Sequence, residues 1–104
     1  MPKKPMEVIT ESMFYILLAF QDGECCGTDI AAHMEQKTGG RVKIGPATMY
    51  TILGRFEQDG TIEETRVEGR KRTYRITPKG QQFYLNEIRR LEACLADARG
   101  EERQ

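Results

Sequence analysis

The sequence has no tryptophan, one histidine, three cysteines and no excess of either charge, its 16 lysines and arginines matching 16 aspartates and glutamates over 104 residues. Each scarcity removes a class of function. Cys25 and Cys26 are adjacent and Cys94 stands alone, so there is neither the C-x-x-C spacing of a zinc site nor the even count of a disulfide framework. No metal and no cofactor is expected, and the cysteines read as small thiols in a reducing compartment. The longest apolar run, Met13 to Phe20, falls far short of the ~20 residues that span a bilayer, and Met1-Pro2-Lys3-Lys4-Pro5 lacks the apolar core of a signal peptide. A soluble, cytoplasmic chain with no membrane partner is expected. His33 lies on a polar helix pattern, and no carboxylate cluster, glycine-rich phosphate loop or nucleophile motif accompanies it, so an enzyme is not expected.

The missing net charge is less informative, because it is the sum of unlike regions. Residues 21–40 carry one basic and four acidic residues, whereas residues 41–76 carry eight and five. A net of minus three therefore lies beside a net of plus three. A local cationic excess acts on a polyanion within about 8 to 10 Å at ordinary salt, whatever the total.

The chain divides by pattern. Glu11 to Gln21 forms a helix apolar on nearly all sides, through Met13, Phe14, Ile16, Leu17, Leu18 and Phe20, with Thr10 as N-cap. A domain this small hardly surrounds such a helix, so part of it is expected to face a second subunit. A second, short helix runs from about Gly27 or Thr28 to Lys37, closed by Thr38-Gly39-Gly40. Gly45-Pro46 opens a third, which runs to Asp59 with Gly60 beyond it. At 100° steps Met49, Ile52, Leu53 and Phe56 share its core face. The opposite face holds Ala47, Thr51, Gly54 and Gln58, flanked by Thr48, Arg55 and Tyr50. Such a surface solubilises poorly and suits close approach to another surface. Gly54 either serves that approach or is merely tolerated, glycine costing about 1 kcal/mol against alanine in a helix.

Ile62 to Glu68 and Thr73 to Thr77 alternate as strands of a hairpin joined around Gly69-Arg70-Lys71-Arg72. Its three consecutive cations are either plain solvated surface or an anion contact. Thr77-Pro78 then caps a helix to about Ala98, along which Tyr84, Ile88, Leu91, Leu95 and Ala98 recur at spacings of 4, 3, 4 and 3. This helix could fold onto its own core or pair with another; the strict seam favours pairing.

Three helices followed by a two-stranded hairpin outline a winged helix-turn-helix, mainly α with a small β-hairpin and a long C-terminal dimerisation helix. The divisions expected are a flexible segment 1–9, a DNA-binding domain 10–77, the dimerisation helix 78–98 and a disordered tail 99–104. In this outline the third helix enters a major groove ~12 Å wide and the cationic hairpin meets phosphates.

At these residues the sequence resembles the PadR-like transcriptional regulators. The match runs through Gly45-Pro46-Ala47-Thr48-Met49-Tyr50, Leu53, Phe56-Glu57-Gln58-Asp59-Gly60 and Arg72-Thr73-Tyr74-Arg75-Ile76-Thr77-Pro78-Lys79-Gly80. The resemblance implies a dimeric winged-helix protein that binds operator DNA, usually as a repressor, with Tyr50 on the recognition helix and Arg70, Lys71 and Arg72 in the basic wing. The chain departs from the family's usual pattern at Cys26-Gly27-Thr28, Met49 and Thr61, none of which removes a DNA-facing residue. Its short C-terminal part resembles the small subfamily with one terminal helix. Some of those bind flat aromatic drugs through tryptophan, a mode that does not carry over to a chain without one.

The expected function is a homodimeric regulator of double-stranded operator DNA. Lys43, Ala47, Thr48, Tyr50, Thr51, Arg55, Arg70, Lys71 and Arg72 are the candidate DNA contacts, and Tyr84, Ile88, Leu91 and Leu95 the candidate dimer seam. Any small-molecule effector is unknown. The alternative is a protein-binding module of the same shape, for which Glu63, Glu64 and Glu68 leave room. A redox role for the cysteines has little support, since nothing basic flanks Cys25 or Cys26.

Overall fold

A computed structural model describes residues 9–101. Four helices and a small sheet follow one another as α1 (Glu11–Ala19), β1 (Cys25–Cys26), α2 (Gly27–Thr38), α3 (Pro46–Gln58), β2 (Ile62–Glu68), β3 (Lys71–Ile76) and α4 (Pro78–Arg99). Mainly helical, with an antiparallel sheet in the order β1-β3-β2, the chain is a winged helix-turn-helix.

The helix ends follow local chemistry. Thr10 caps α1 by accepting the Met13 N–H at 3.2 Å. The α-helical part of this segment stops at Ala19, and a 3₁₀ turn over Phe20–Asp22 completes the stretch expected as helix to Gln21. At α2 the Asp29 carboxylate accepts the Cys26 N–H at 3.1 Å, closing a capping box. Those bonds hold the Asp29 carboxyl below its ordinary range. Pro46 opens α3 and Asp59 is its C-cap.

Phe56, Ile16, Leu17, Ile30, Met34, Leu53 and Ile62 form the fully buried centre, drawn from all three helices of the N-terminal unit and the first wing strand. Met13, Phe14, Tyr15 and Leu18 are half-buried against it. So α1 is enclosed on one side only, and its remaining apolar side chains stay partly accessible.

Two features of the wing differ from the sequence expectation. The hairpin is tighter, because β3 begins at Lys71: Glu68 pairs with Lys71, leaving Gly69 and Arg70 as a two-residue loop. Gly69 has φ +64° and Arg70 does not share that positive φ, as in a type II′ turn that matches strand twist. The sheet also has a third strand. Cys25 and Cys26 pair with Tyr74 and Thr73, tying the wing to the start of α2. A register shift between Glu64 and Arg66 leaves Thr65 as an extra residue, its hydroxyl bonded to Glu24 and, at 3.3 Å, to the Thr73 carbonyl.

The junction of wing and α4 is rigidly built. Thr77 accepts the Gly80 N–H at 3.0 Å and donates to the Gly60 carbonyl at 2.6 Å. A Cβ on Gly80 would lie 2.0 Å from the Thr61 carbonyl oxygen, so only glycine lets α4 lie this close to the base of the wing. Beyond that point α4 divides. Tyr84 is buried and stacks on Phe14 with ring centroids 5.5 Å apart, and Ile88 is half-buried, whereas Leu91 and Leu95 are 36% and 52% exposed. The first half of the 4-3 seam thus packs on the chain's own α1 and the second half stands clear. Of the expected flexible ends, residues 1–8 and 102–104 lie outside the described residues; Ile9 is buried, and Gly100 is the C-cap of α4.

Candidate nucleic-acid interface

The α3 face opposite the core is built from side chains the core does not use. Met49, Leu53 and Phe56 turn inward and are buried; Ala47, Thr48, Tyr50, Thr51 and Arg55 are all exposed, Tyr50 to 58%. Thr51 returns its hydroxyl to the Ala47 carbonyl at 2.9 Å, which keeps the rim of this face compact. Around the ideal Cβ position of Gly54 there is nothing within 4 Å, so packing within the chain places no demand for glycine there.

Tyr50 and the wing share one concavity. A cleft of about 330 Å³ is lined by Cys26, Gly27 and Thr28 from the start of α2, by Tyr50, and by Arg70, Lys71 and Arg72. The third strand makes this possible: the pairing with Cys25–Cys26 draws the middle of β3 against the α2 N-terminus, and the cations beside it follow. Gly27 and Thr28 were not singled out as site residues from the sequence, because a two-residue strand has no periodicity to read. Lys43 lies exposed in the α2–α3 connection, outside that cleft.

Ion pairing sorts the eight cations of residues 41–75. Arg41 is drawn away to Glu11 and to the Tyr15 hydroxyl, where the paired carboxylate raises its already high pKa. Arg55 pairs with Asp59 at 3.2 Å, Arg72 with Glu64 at 3.3 Å, Arg66 with Glu68 at 2.7 Å, and Arg75 with Glu63. Among the described residues, Lys43, Arg70 and Lys71 have no ion pair. Three uncommitted cations, two of them on the wing, form a localised positive surface on a chain of zero net charge.

Cys25 and Cys26 sit beside this site, and Cys25 lacks the chemistry of a reactive thiol. Burial, then Asp29, push the Cys25 thiol up to about 11, and its Sγ donates to the Ala19 carbonyl at 3.5 Å. The Cys26 Sγ lies 3.2 Å from the Asp29 carboxylate. Their role here is the β1 pairing. Cys94 is exposed on α4.

The seam residues lie on the far side. Tyr84 and Ile88 pack on the chain itself; Leu91 lines a groove with Ile9, Phe14, Tyr15, Glu87 and Arg90 between the start of α1 and α4, and Leu95 lies beyond it. Glu87 escaped sequence analysis. It is only 4% exposed, its carboxylate held by Arg90 one turn on. No described helix is long and apolar enough to cross a membrane.

A winged helix-turn-helix with a cationic hairpin beside an exposed third helix defines the class of nucleic-acid-type regulators. Within that class, the model of the transcriptional regulator PadR-like family matches residues 16–86, and the chain belongs to that family. A transcriptional regulator from Clostridium thermocellum has a similar structure, with 27% identity, a TM-score of 0.76, and 89% of this chain and 97% of that one covered. Bacillus subtilis PadR, solved in complex with operator DNA, shares the fold at 22% identity and a TM-score of 0.64, covering 73% of this chain and 45% of that one. A transcriptional regulator of Mycobacterium tuberculosis is 36% identical over 61 residues, 56% of this chain and 57% of its own length. The chain spans 22% and 57% of the length of the curated relatives it matches.

Proposed function

We propose that this chain is a cytoplasmic, homodimeric repressor that binds double-stranded operator DNA, inserting α3 into the major groove and laying the wing on the adjoining backbone. The observation that carries this reading is the shared cleft: Tyr50 of α3 and Arg70, Lys71 and Arg72 of the wing line one concavity, beside an exposed helix face of small and hydroxyl side chains. Thr48, Tyr50, Thr51 and Arg55 contact the groove, with Ala47 permitting close approach; Lys43 and the three wing cations contact phosphates. That Bacillus subtilis PadR, which shares the fold, was solved in complex with operator DNA supports the DNA-binding reading. Pairing of two chains through α4 and the exposed side of α1 would set two α3 helices about one helical turn apart on a roughly palindromic site. Occupying such a site excludes other proteins from it, which is the repressor's action.

The test is a gel-shift titration of the chain carrying Arg70→Ala, Lys71→Ala and Arg72→Ala together. Each phosphate contact contributes about 0.9 to the slope of log affinity against log salt, so the triple variant should bind far more weakly and with a slope shallower by about 2.7. Unchanged affinity and slope remove the wing from the mechanism.

A further inference from the structure

Two of the candidate DNA-contacting arginines are already held by carboxylates, and the two pairs share an asymmetry. Arg55 and Arg72 have side chains 43% and 57% exposed, while their partners Asp59 and Glu64 are only 16% and 28% exposed. The pair Arg66–Glu68 lacks this asymmetry, both side chains standing 61% exposed. In the first two pairs the anion is the more covered member and the guanidinium is the outer one. Asp59 is anchored as the C-cap of α3, its carbonyl accepting the Lys79 ammonium at 2.6 Å. Glu64 lies opposite the buried Tyr74 in the sheet, two register positions from Arg72, and therefore on the same face of the wing.

We infer that, granted the operator-binding reading above, Glu64 and Asp59 are specificity-determining residues that orient Arg72 and Arg55 for a cognate duplex and weaken their hold on any other. A guanidinium presents five N–H donors; each carboxylate here engages one nitrogen and the Tyr74 hydroxyl also engages Arg72, so both groups are held in place with donors to spare. A duplex that seats α3 fully meets a pre-aimed donor fork, and the arginine bridges carboxylate and DNA without breaking its pair. A duplex held by its phosphates alone meets the same cation at longer range, with its less exposed carboxylate beside it. The attraction is then largely cancelled, because the two opposite charges act from nearly the same place. Phosphate contacts supply affinity without sequence information, so suppressing them raises discrimination.

The variants are Glu64→Gln and Asp59→Asn in the full chain, each keeping an acceptor for the arginine while removing the charge. Glu63→Gln is the control: Glu63 pairs with Arg75 on the opposite face of the wing, so it removes the same charge at a different place. Binding is followed by fluorescence anisotropy on two probes of about 24 base pairs, long enough for two half-sites. One is the duplex enriched from a random pool by repeated selection with the unaltered chain; the other is the unselected pool. Glu64→Gln and Asp59→Asn should bind the unselected pool several-fold more tightly, with a salt slope steeper by about 0.9, and bind the selected duplex no more tightly than the unaltered chain. The ratio of the two affinities then falls several-fold, and in Glu63→Gln it stays near its original value. Should Asp59→Asn fail to fold, Glu64→Gln alone decides. An unchanged ratio in Glu64→Gln, or an equal fall in Glu63→Gln, overturns the inference while leaving DNA binding intact. An unaltered chain that binds neither probe overturns both.

Discussion

Both ends of this molecule expose surface that its own core does not need, but of opposite kinds. Around α3 and the wing the surface exposes small, hydroxylated and cationic side chains with Tyr50 and Val67, its carboxylates largely paired to arginines; the distal half of α4 exposes Leu91 and Leu95 among charged residues, beside a groove floored by Phe14 and Tyr15. Burying leucine against leucine is favourable wherever water is excluded, so the second surface suits a copy of itself. The first would gain little that way, since among the described residues its cations Lys43, Arg70 and Lys71 are left without an ion pair, and it suits a polyanion. The winged fold places these two surfaces on different helices, joined through the Thr77–Gly80 corner.

The largest expected effect falls on the apolar surface. Glutamates replacing both Leu91 and Leu95 would bring four carboxylates into a symmetric dimer seam, at a cost of several kcal/mol. Sedimentation should then find monomers at micromolar concentration, with the melting temperature of the winged part little changed. A persistent dimer would move the interface off distal α4.

Next comes the corner itself. Gly80→Ala places a methyl group 2.0 Å from the Thr61 carbonyl oxygen, which is backbone and does not yield as a flexible side chain would. Displacing α4 from the wing should cost about 3 kcal/mol, read as a lower midpoint in urea. Loss of both DNA affinity and self-association together would show that the two surfaces depend on one junction.

The two regions also differed in how far the sequence disclosed them. The helices were legible because their caps and periodicity are local: Thr10, Pro46, Thr77 and the 100° pattern of Met49, Leu53 and Phe56 needed no knowledge of the fold. The exposed positions of α3 followed from the same arithmetic. What stayed hidden depends on tertiary register. Cys25–Cys26 becomes a strand only because β3 offers it an edge, and that pairing brings Gly27 and Thr28 to the cleft. The link of Glu64 to Arg72 depends on which residues of β2 and β3 face each other. The α4 seam was legible as a stripe, but its division between Tyr84, packed at home, and Leu95, exposed, depends on where α1 ends against it.

A smaller effect concerns the start of α2, where the cleft meets the third strand. Asp29 has a folded-state pKa below its ordinary value, chiefly because the Cys26 N–H donates to it. A depressed carboxyl contributes stability that is fully present above its unfolded pKa of about 3.9 and is lost as pH falls through the lower folded value. Asp29 is exposed and its charge screened, so Asp29→Asn should cost less than about 1 kcal/mol at pH 7, no more than a lost helix cap. In acid the difference between variant and unaltered chain should close, which a series of thermal melts from pH 7 downward would show. A gap that stays constant across that range assigns the stabilisation to hydrogen-bond geometry alone.

The smallest effect bears most directly on why the two surfaces differ. Gly54 sits mid-helix on the exposed face of α3, where glycine costs about 1 kcal/mol relative to alanine and where open space surrounds the position an added Cβ would take. Stability alone would favour alanine, so Gly54→Ala should raise the melting temperature. If α3 approaches a groove wall closely at this residue, the same methyl group should weaken operator binding a few-fold while leaving self-association through α4 untouched. A variant that melts higher and binds equally well would make the glycine a tolerated residue. The small outer face would then owe its role to Ala47 and the hydroxyls of Thr48 and Thr51, and close approach would be confined to the N-terminal half of the helix.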